Sequence, residues 1–585
     1  LKGELAFNEK GVSAQTLTGR LLGGDAQIQG ILEPGRPGLR LSGTLTSQGL
    51  EQYLGLKGLQ RLQGQTAYSV LMKLDAKGAF SLGAESDLKG LALNLPEPFQ
   101  KPAERAAQLK ADWSSDSAAK MDRLQISLRD RQTFLLNLLH AQGSRQGSYF
   151  HSGSMGTPEW VTWPRRGLEL RSRYDRMDLD AWEQVVQEFG QNLDGSPVAP
   201  SARPLLPLLE RVQLNADQAW LRGQRLDQLE LESTEDAAGR VSLRLKARQA
   251  QGQVQAQHRD GRYAGLFNAH FSHLHIDGQR PDWAWPDADV PTDDDLSLPA
   301  ISLKVDDLQI QGIRFGTLQA MGKPAGAGAT WRLENFSLSA QGMHLQGSGS
   351  LALRGPQRGL ELIANSQVAN LGEFVDVSGL LTESIKNGDG TIQAALFWSD
   401  FPWSRDKRNI SGQFNVDLKK GRFISLNSRS AKLLELLSLQ SISRLSRLDL
   451  DLFGAVKDGF AFDSFTGRMN LSQGKLELDN YQIKGPAGEI KLKGWIDIKD
   501  ETLDLIAVVS PNLDMSGAAI AAYFAVNPMV GVGAMLTQWL MQVPMSSHLS
   551  VTYAVSGKVD DPQLKELDAP AVNTAGKDKQ PRIEP

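Results

Sequence analysis

Alternation of apolar and polar residues with a period of two is the feature that most constrains the fold of this chain. In residues 490–499 it places Ile490, Leu492 and Ile496 on one side and mainly lysine and aspartate on the other. Such a pattern is typical of a β-strand with one buried and one exposed face. The same period recurs in residues 549–555, before a glycine and an Asp-Pro step that end the strand. Both stretches are therefore predicted to be half-buried antiparallel strands.

Similar strands, separated by glycine-containing turns, recur along most of the chain, for example in residues 26–32, 39–45 and 301–313. A chain with so many strands is predicted to be mainly β. Few long helical stretches are present to cover the apolar faces of these strands. A second sheet could cover them, or the sheet could curl into a trough that holds a non-protein ligand.

Short helical inserts are predicted at residues 49–56 and 371–385, each following a strand. The clearest helix is residues 178–189, where four apolar residues fall at positions i, i+3, i+4 and i+7. Asp180 is the expected N-cap, since its carboxylate can accept a hydrogen bond from the first turn.

Residues 515–542 contain no charged residue. A membrane-spanning helix needs about 20 apolar residues, but Asn527-Pro528 interrupts the segment and disfavours one continuous helix. A buried helical hairpin and a membrane-touching pair of helices are both compatible with this pattern. The residues predicted to form the apolar faces of the two helices are Ile520, Tyr523, Phe524, Val532, Met535, Leu536, Trp539 and Leu540.

Composition excludes several classes of function. The net charge is −4 with interspersed signs, so no clustered basic face for nucleic acid is expected. The chain has no cysteine, which removes thiolate chemistry and cysteine-ligated zinc. No nucleophile elbow, Walker loop or dinucleotide loop is present. We therefore expect no enzyme and no cofactor.

Two clusters contain residue types that bind metals. His270, His273 and His275 lie close together in the sequence, but no further ligand has a recognisable spacing. The aspartates at residues 293–295 lie in a proline-rich loop and lack the interleaved spacing of a calcium loop. No metal site is predicted.

Motifs in the last quarter of the chain resemble the C-terminal region of AsmA-like proteins. In residues 449–505, the Gly485-Pro486 step precedes a strand with the pattern Gly-x-x-Asp at residues 494–497. Residues 553–562 are similar to the closing strand of that family.

Two other sequence motifs are similar to motifs of the YhdP-like branch of this family. They are Met-Asp-Leu-Asp-Ala-Trp at residues 177–182 and the tryptophan-containing stretch at residues 395–403, which departs from the usual Trp-Pro-Gly by reading Trp398-Ser399-Asp400. The resemblance implies a long antiparallel β-sheet curled into an elongated apolar groove, with a few short helices.

The resemblance also implies a function: bridge-like transport of phospholipid between the inner and outer membranes of a Gram-negative envelope. The expected location is the periplasm, with an inner-membrane anchor upstream of Leu1, because the sequence starts with neither Met nor a signal peptide. Expected partners are phospholipid, both membranes and envelope proteins at either end, with the helices of residues 515–544 at the outer membrane. The alternative is a structural or assembly scaffold for outer-membrane biogenesis that conducts no lipid.

An acyl chain suits such a groove because each buried CH₂ contributes about 0.8 kcal/mol and requires no directional hydrogen bond. The residues predicted to line the groove are Leu351, Leu353, Phe414, Val416, Leu418, Leu476, Leu478, Ile490, Leu492, Ile496, Ile498, Leu549, Val551, Tyr553 and Val555.

Six segments are predicted along the chain. They are a curled β-sheet with helical inserts (1–190), a β segment interrupted by proline-rich loops (191–300), the continuation of the β-groove (301–514), the apolar helical pair (515–544), a closing strand (545–567) and a disordered tail (568–585).

Overall fold

The computed structural model describes most of the chain and divides it into two compact units, Leu1–Thr292 (unit 1) and Asp293–Pro585 (unit 2). The described residues are 2–9, 11–116, 120–143, 149–164, 166–189, 205–221, 223–236, 238–259, 262–276, 298–326, 329–353, 358–378, 385–399, 410–423, 460–486, 488–498, 500–511, 551–558 and 561–567.

The described part of unit 1 consists mainly of strands. They are β1 (Leu5–Asn8), β2 (Gly11–Leu21), β3 (Gly23–Leu32), β4 (Gly38–Thr46), β5 (Leu62–Leu74), β6 (Phe80–Ser86), β7 (Leu91–Leu93), β8 (Gln108–Asp116), β9 (Met121–Arg129), β10 (Thr133–Ala141), β11 (Ser152–Gly156), β12 (Gly167–Asp178), β13 (Leu209–Leu221), β14 (Gln224–Glu235), β15 (Arg240–Lys246), β16 (Ala250–Arg259) and β17 (Arg262–Ile276). Its helices are α1 (Ser47–Leu54), a 3₁₀ helix (Lys57–Arg61) and α2 (Leu179–Phe189).

The described part of unit 2 is also mainly β. Its strands are β18 (Ala300–Ile310), β19 (Ile313–Ala325), β20 (Thr330–Ala340), β21 (Met343–Ala352), β22 (Gly359–Val368), β23 (Ile385–Trp398), β24 (Ile410–Phe423), β25 (Phe460–Ser472), β26 (Lys475–Gly485), β27 (Gly488–Asp497), β28 (Thr502–Pro511), β29 (Val551–Lys558) and β30 (Asp561–Leu567). Its helix is α3 (Leu371–Ser378).

Strands that follow one another in sequence also pair in space. In unit 2 every described strand pairs antiparallel with the next, from β18 to β30. In unit 1 the order is the same except that β6 pairs with β8, while the short β7 pairs with the first residues of β5. The prediction of a mainly β fold with a few short helices is confirmed.

Unit 1 differs from the prediction in one respect, because β11, β12 and β13 are parallel to one another. Parallel neighbours need a connection that returns to the same end of the sheet. The described part of the first return is residues 157–164, and the Ser154 hydroxyl donates a hydrogen bond to the carbonyl of Thr162 in that segment. The second return begins with α2. The sheet of unit 1 is therefore mixed rather than wholly antiparallel.

Helix α2 forms where the sequence predicts it, but its N-cap is Asp178. The Asp178 carboxylate accepts a hydrogen bond from the backbone N–H of Ala181 at 2.9 Å. Asp180, the predicted cap, accepts instead from the N–H of Gly223 at 2.9 Å, which ties the helix to the turn between β13 and β14. Prediction of Asp180 as the N-cap is therefore wrong.

The two other α-helices are capped in a similar way. The Thr46 hydroxyl accepts from the N–H of Gly49 at the start of α1, and the Asn370 side-chain oxygen accepts from the N–H of Glu373 at the start of α3. Gly55 ends α1 in the left-handed region with φ 68°, a conformation that favours glycine. Helix α1 confirms the first predicted insert, and α3 confirms the second as far as Ser378, since residues 379–384 lie outside the described residues.

The six predicted segments stay predictions. The boundary between the two units, at Thr292 and Asp293, falls inside the predicted segment 191–300. Residues 515–544 lie outside the described residues.

Candidate functional site

One face of the sheet in unit 2 carries no charge across twelve successive strands, β18 to β29. Directly paired residues of neighbouring strands share a face, so strand register defines rows that run across the sheet. The first row is Val305, Leu318, Leu338, Leu345, Ser366, Ile392, Val416, Gly467, Tyr481, Leu492, Ala507 and Tyr553.

Two further rows lie beside the first on the same face. The second row is Leu303, Ala320, Phe336, Gly347, Ala364, Ala394, Phe414, Met469, Leu478, Gly494, Leu505 and Val555. The third row is Ile301, Gly322, Leu333, Gly349, Leu362, Leu396, Gly412, Leu471, Leu476, Ile496, Leu503 and Gly557. We call these three rows the floor of unit 2. Ser366 is its single hydroxyl-bearing side chain apart from the two tyrosines.

The other face of the same strands is polar. One row of that face is Lys304, Gln319, Ser337, Gln346, Asn365, Gln393, Asn415 and Arg468. Arg468 donates to the Asn415 side chain at 3.3 Å across neighbouring strands. The sheet therefore separates an apolar face from a polar one.

A large apolar cluster lies on the floor of unit 2. Its buried members include Val416, Leu478, Ala507, Tyr553 and Val555, and Phe374 of helix α3 belongs to the same cluster. Burial raises the pKa of the Tyr481 hydroxyl, because the phenolate would lose hydration. The hydroxyl therefore stays neutral, and the floor carries no charge at this position.

Most residues predicted to line the groove lie on the floor or at its edge. Phe414, Val416, Leu476, Leu478, Leu492, Ile496, Tyr553 and Val555 belong to the three rows. Leu418 and Ile490 are buried in the same cluster, whereas Leu351 and Leu353 form a smaller one with Trp331 and Leu360.

Three other residues predicted to line the groove, Ile498, Val551 and Leu549, are not members of the three rows. Ile498 lies just beyond the end of β27, is 42 % exposed, and donates its backbone N–H to the Gly474 carbonyl at 2.9 Å. The backbone of Val551 pairs with Val509. Leu549 lies outside the described residues, as do the eight residues predicted for the apolar helices, Ile520, Tyr523, Phe524, Val532, Met535, Leu536, Trp539 and Leu540.

Sequence reasoning missed Leu503 and Leu505 of the floor, and also Phe465, which lies beside the floor and pairs with Leu418. Phe465 is half-buried and lies edge-on to Tyr481, with ring centroids 5.5 Å apart. The alternation of apolar and polar residues in 503–507 could have identified Leu503 and Leu505. The phenylalanines of β25 are irregularly spaced, so no period of two indicates which of them face inward.

Unit 1 has an apolar row of its own. It is Leu17, Ile28, Leu41, Val70, Ala84, Ala111, Ile126, Leu136, Met155, Leu170, Val212, Ser233, Leu243, Val254 and Ala269. This row crosses the strands from β2 to β17 and contains no charged residue.

One end of the unit 1 strands is covered by inserted segments. The Arg61 guanidinium of the 3₁₀ helix donates to the Glu188 carboxylate of α2 at 2.5 and 2.8 Å. The Trp182 indole N–H of α2 donates to the Glu97 carbonyl at 3.0 Å. Phe99 packs edge-on against Trp182, with ring centroids 5.4 Å apart. The same ring is 5.3 Å from Phe134 and 6.2 Å from Tyr174, so the cover reaches the apolar face of the sheet.

Metal binding finds no support in the described part of the chain. The rings of His273 and His275 lie 5.4 Å apart, but no group of three or more histidine, aspartate or glutamate side chains there could hold an ion. Among the described helices, none combines the length and the apolar composition that a membrane-crossing helix needs.

An uncharged apolar floor on a meandering sheet, with a polar reverse face, defines the class of β-groove proteins with short helical inserts. The chain belongs to the YhdP protein family, whose sequence profile matches residues 1–564. It is 31% identical over 235 residues to the intermembrane phospholipid transporter YhdP of Escherichia coli (strain K12). That match covers 39% of this chain and 17% of the relative. No solved structure matches the chain with significance.

Proposed function

We propose that this chain conducts phospholipid between the inner and outer membranes of a Gram-negative envelope, with acyl chains sliding along the apolar floor. The observation that carries this function is the absence of charge from all three rows of the floor of unit 2. The E. coli relative is named an intermembrane phospholipid transporter, which supports the same cargo.

The chemistry of the floor suits movement rather than fixed binding. Each CH₂ group removed from water contributes about 0.8 kcal/mol wherever it lies on an apolar surface. The rows consist of aliphatic, aromatic and glycine residues, with few hydrogen-bonding groups to fix a ligand in register. An acyl chain therefore gains a similar free energy at successive strands and meets no strong barrier between them.

The proposal includes a location in the periplasm, with an anchor in the inner membrane outside this sequence and a reach to the outer membrane. In it, residues 515–544 form the end that meets the outer membrane, and further envelope proteins contact either end. Family membership and the name of the relative support an envelope location.

Site-specific photocrosslinking in cells tests this function. A photoreactive residue placed at Val416 or Leu492, on the floor, is expected to capture phospholipid that mass spectrometry identifies. The matched outward neighbours Asp417 and Lys491 serve as controls, since both are exposed on the same strands, and they should capture none.

Capture of protein alone at the inward positions would contradict lipid conduction. The floor would then be a closed core, and the alternative of a structural or assembly scaffold for outer-membrane biogenesis would replace the proposal. Equal capture of lipid at inward and outward positions would also contradict it, because labelling would then report non-specific contact.

A further inference from the structure

The connections between strands of unit 2 alternate between two rims of the floor. In an antiparallel meander, every second connection lies at the same end of the strands. The ends of β22, β24 and β28 and the starts of β23, β25 and β29 therefore all lie on one rim, and the longest insertions in the sequence of unit 2 separate these strand pairs. We call it the insertion rim and the other the short-turn rim, where residues 473–474 make a tight turn between β25 and β26.

The insertion rim is closed by packed side chains in its described part. Phe374 and Val375 of helix α3 are buried against Val368, Leu371 and Ile385, which end β22, begin α3 and begin β23. The helix also sits tightly on the turn between β20 and β21, because a Cβ atom on Gly342 would lie 2.2 Å from the Asn370 carbonyl oxygen.

Apolar side chains between the floor and the insertion rim belong to the same buried cluster and are nearly inaccessible to solvent. Leu418, Ile483 and Ile490 are each at most 2 % exposed. A polar headgroup placed there would lose its hydration without gaining hydrogen-bond partners.

From β22 to β27 the short-turn rim is more open, because the third-row side chains of these strands are half-buried. The half-buried leucine and isoleucine side chains of the third row are Ile301, Leu333, Leu362, Leu396, Leu471, Leu476 and Ile496. Leu503 of the same row, and Leu351 beside it, are each 3 % exposed. A group bound at this rim keeps access to solvent.

Tryptophan marks the edge of the short-turn rim. Trp331 pairs with Leu351, which pairs with Leu360, which in turn pairs with Trp398. Both tryptophans are half-buried, and the Trp331 indole N–H donates to the Pro299 carbonyl at 2.8 Å. Tryptophan favours the boundary between acyl chains and headgroups because its ring is apolar and its N–H is polar.

We propose that the phospholipid in unit 2 lies across the strands with a fixed sidedness: its headgroup follows the short-turn rim near Trp331 and Trp398, and its acyl chains point toward the insertion rim. This inference rests on the proposed function and adds the orientation of the cargo. The headgroup stays hydrated at the open rim, while the chain ends occupy the dry surface around Leu418 and Ile490.

Two photoreactive phospholipids test the orientation with the purified full-length protein. One is a phosphatidylethanolamine with a diazirine on the headgroup, and the other carries the diazirine at the end of an acyl chain. Each is loaded from phosphatidylethanolamine vesicles, and adducts are mapped by peptide mass spectrometry. The headgroup probe is expected to favour the peptides of Trp331 and Trp398 over those of Leu418 and Ile490 by roughly tenfold or more, and the chain probe to show the opposite preference.

A chain-free glycerophosphoethanolamine with the same diazirine is the control for surface labelling. Reversed or equal preferences of the two lipid probes would overturn the sidedness while leaving lipid conduction intact. Absence of floor adducts with both probes would instead contradict the proposed function itself. Equal labelling of Trp398 by the chain-free control would show that the rim binds the headgroup without the floor, which also contradicts the inference.

Discussion

At the scale of single residues, two glycines let aromatic rings of the apolar cluster in unit 2 pack over a neighbouring strand. A Cβ atom on Gly467 would lie 2.4 Å from the Tyr481 ring, and one on Gly421 would lie 2.1 Å from the Phe462 ring. Each glycine thus leaves room for an aromatic side chain of the neighbouring strand. Such cross-strand pairs compensate for the missing side chain of a strand glycine.

Replacement of Gly467 by alanine is expected to destabilise the protein by about 1–3 kcal/mol, because Tyr481 must move from a packed position. Urea unfolding followed by circular dichroism measures the change. Gly83→Ala is the matched control, since the nearest atom to its added Cβ is a side-chain oxygen of Asp112 at 3.3 Å. Equal stability of both variants would show that the packed position of the Tyr481 ring does not require a glycine at position 467.

Leu418→Ala is expected to destabilise the protein by about 2–5 kcal/mol, since Leu418 is 1 % exposed and its truncation leaves a cavity in the apolar cluster of unit 2. Lys419→Ala, on the outward face of the same strand, should stay within about 0.5 kcal/mol of the parent. Thermal unfolding of both variants measures the difference. A small effect of Leu418→Ala would mean that the surrounding side chains collapse into the space.

The inward residues could be predicted from the sequence only where the period of two is unbroken. Lys420 and Asn480 adopt φ of 54° and 53°, and the inward positions continue with Gly421 after Leu418 and with Tyr481 after Leu478. Asn480 is an extra residue in β26, whereas the register of β24 with both of its neighbours is continuous across Lys420. Period alone cannot locate such irregular positions, because they depend on the partner strand. Ile498 continues the pattern in sequence although β27 ends before it.

At the scale of elements, the segment between β6 and β8 is held by a buried lysine. Lys101 Nζ donates to the carbonyl oxygens of Leu88, Pro102 and Arg105 at 2.8, 3.1 and 2.8 Å. Burial lowers the pKa of Lys101, because the ammonium group loses hydration. Three backbone acceptors replace the lost water, and the segment that carries Phe99 is fixed as a result.

Lys101→Met is expected to loosen this segment, because three carbonyl groups lose their donor. Each buried acceptor left unpaired costs about 1–3 kcal/mol before the segment relaxes. Hydrogen exchange of residues 87–107 should rise, while exchange in β13 and β14 stays unchanged. Lys89→Met, at an exposed position of the same segment, is the control. Unchanged exchange in the Lys101 variant would show that Phe99 alone holds the segment.

Helices were easier to predict than strand direction, and the reason is physical. The apolar residues of α2 recur at helical spacing, and this spacing alone predicts the helix. It does not predict the burial of each residue, because Val186 is 69 % exposed and Val185 only 2 %. A period of two is the same in parallel and antiparallel strands. The parallel arrangement of β11, β12 and β13 depends on the crossing of residues 157–166, which no periodicity encodes.

At the scale of the whole molecule, the proposed function depends on an uninterrupted apolar surface, so one charge should interrupt it. Leu396→Glu places a carboxylate in the third row, where the side chain is half-buried. A charge among acyl chains costs about 2.5–3.5 kcal/mol. Transfer of labelled phospholipid between vesicles by the full-length protein is expected to fall by tenfold or more.

Ala395→Glu is the matched control for this charge. Ala395 is exposed and points to the other face of β23, so lipid transfer should stay at the parent level. Parent-level transfer by Leu396→Glu would contradict a path over the third row. An equal loss in both variants would indicate a general effect of charge on the strand.

The alternation of connections between the two rims of unit 2 also limits how such a protein can change in length. Removing one strand would move every later loop to the opposite rim and would reverse the direction of every later strand. Removing two neighbouring strands leaves both unchanged and shortens the sheet by about 10 Å. Natural length variants of this architecture are therefore expected to differ by even numbers of strands, so that the hairpin is the unit in which the sheet lengthens or shortens.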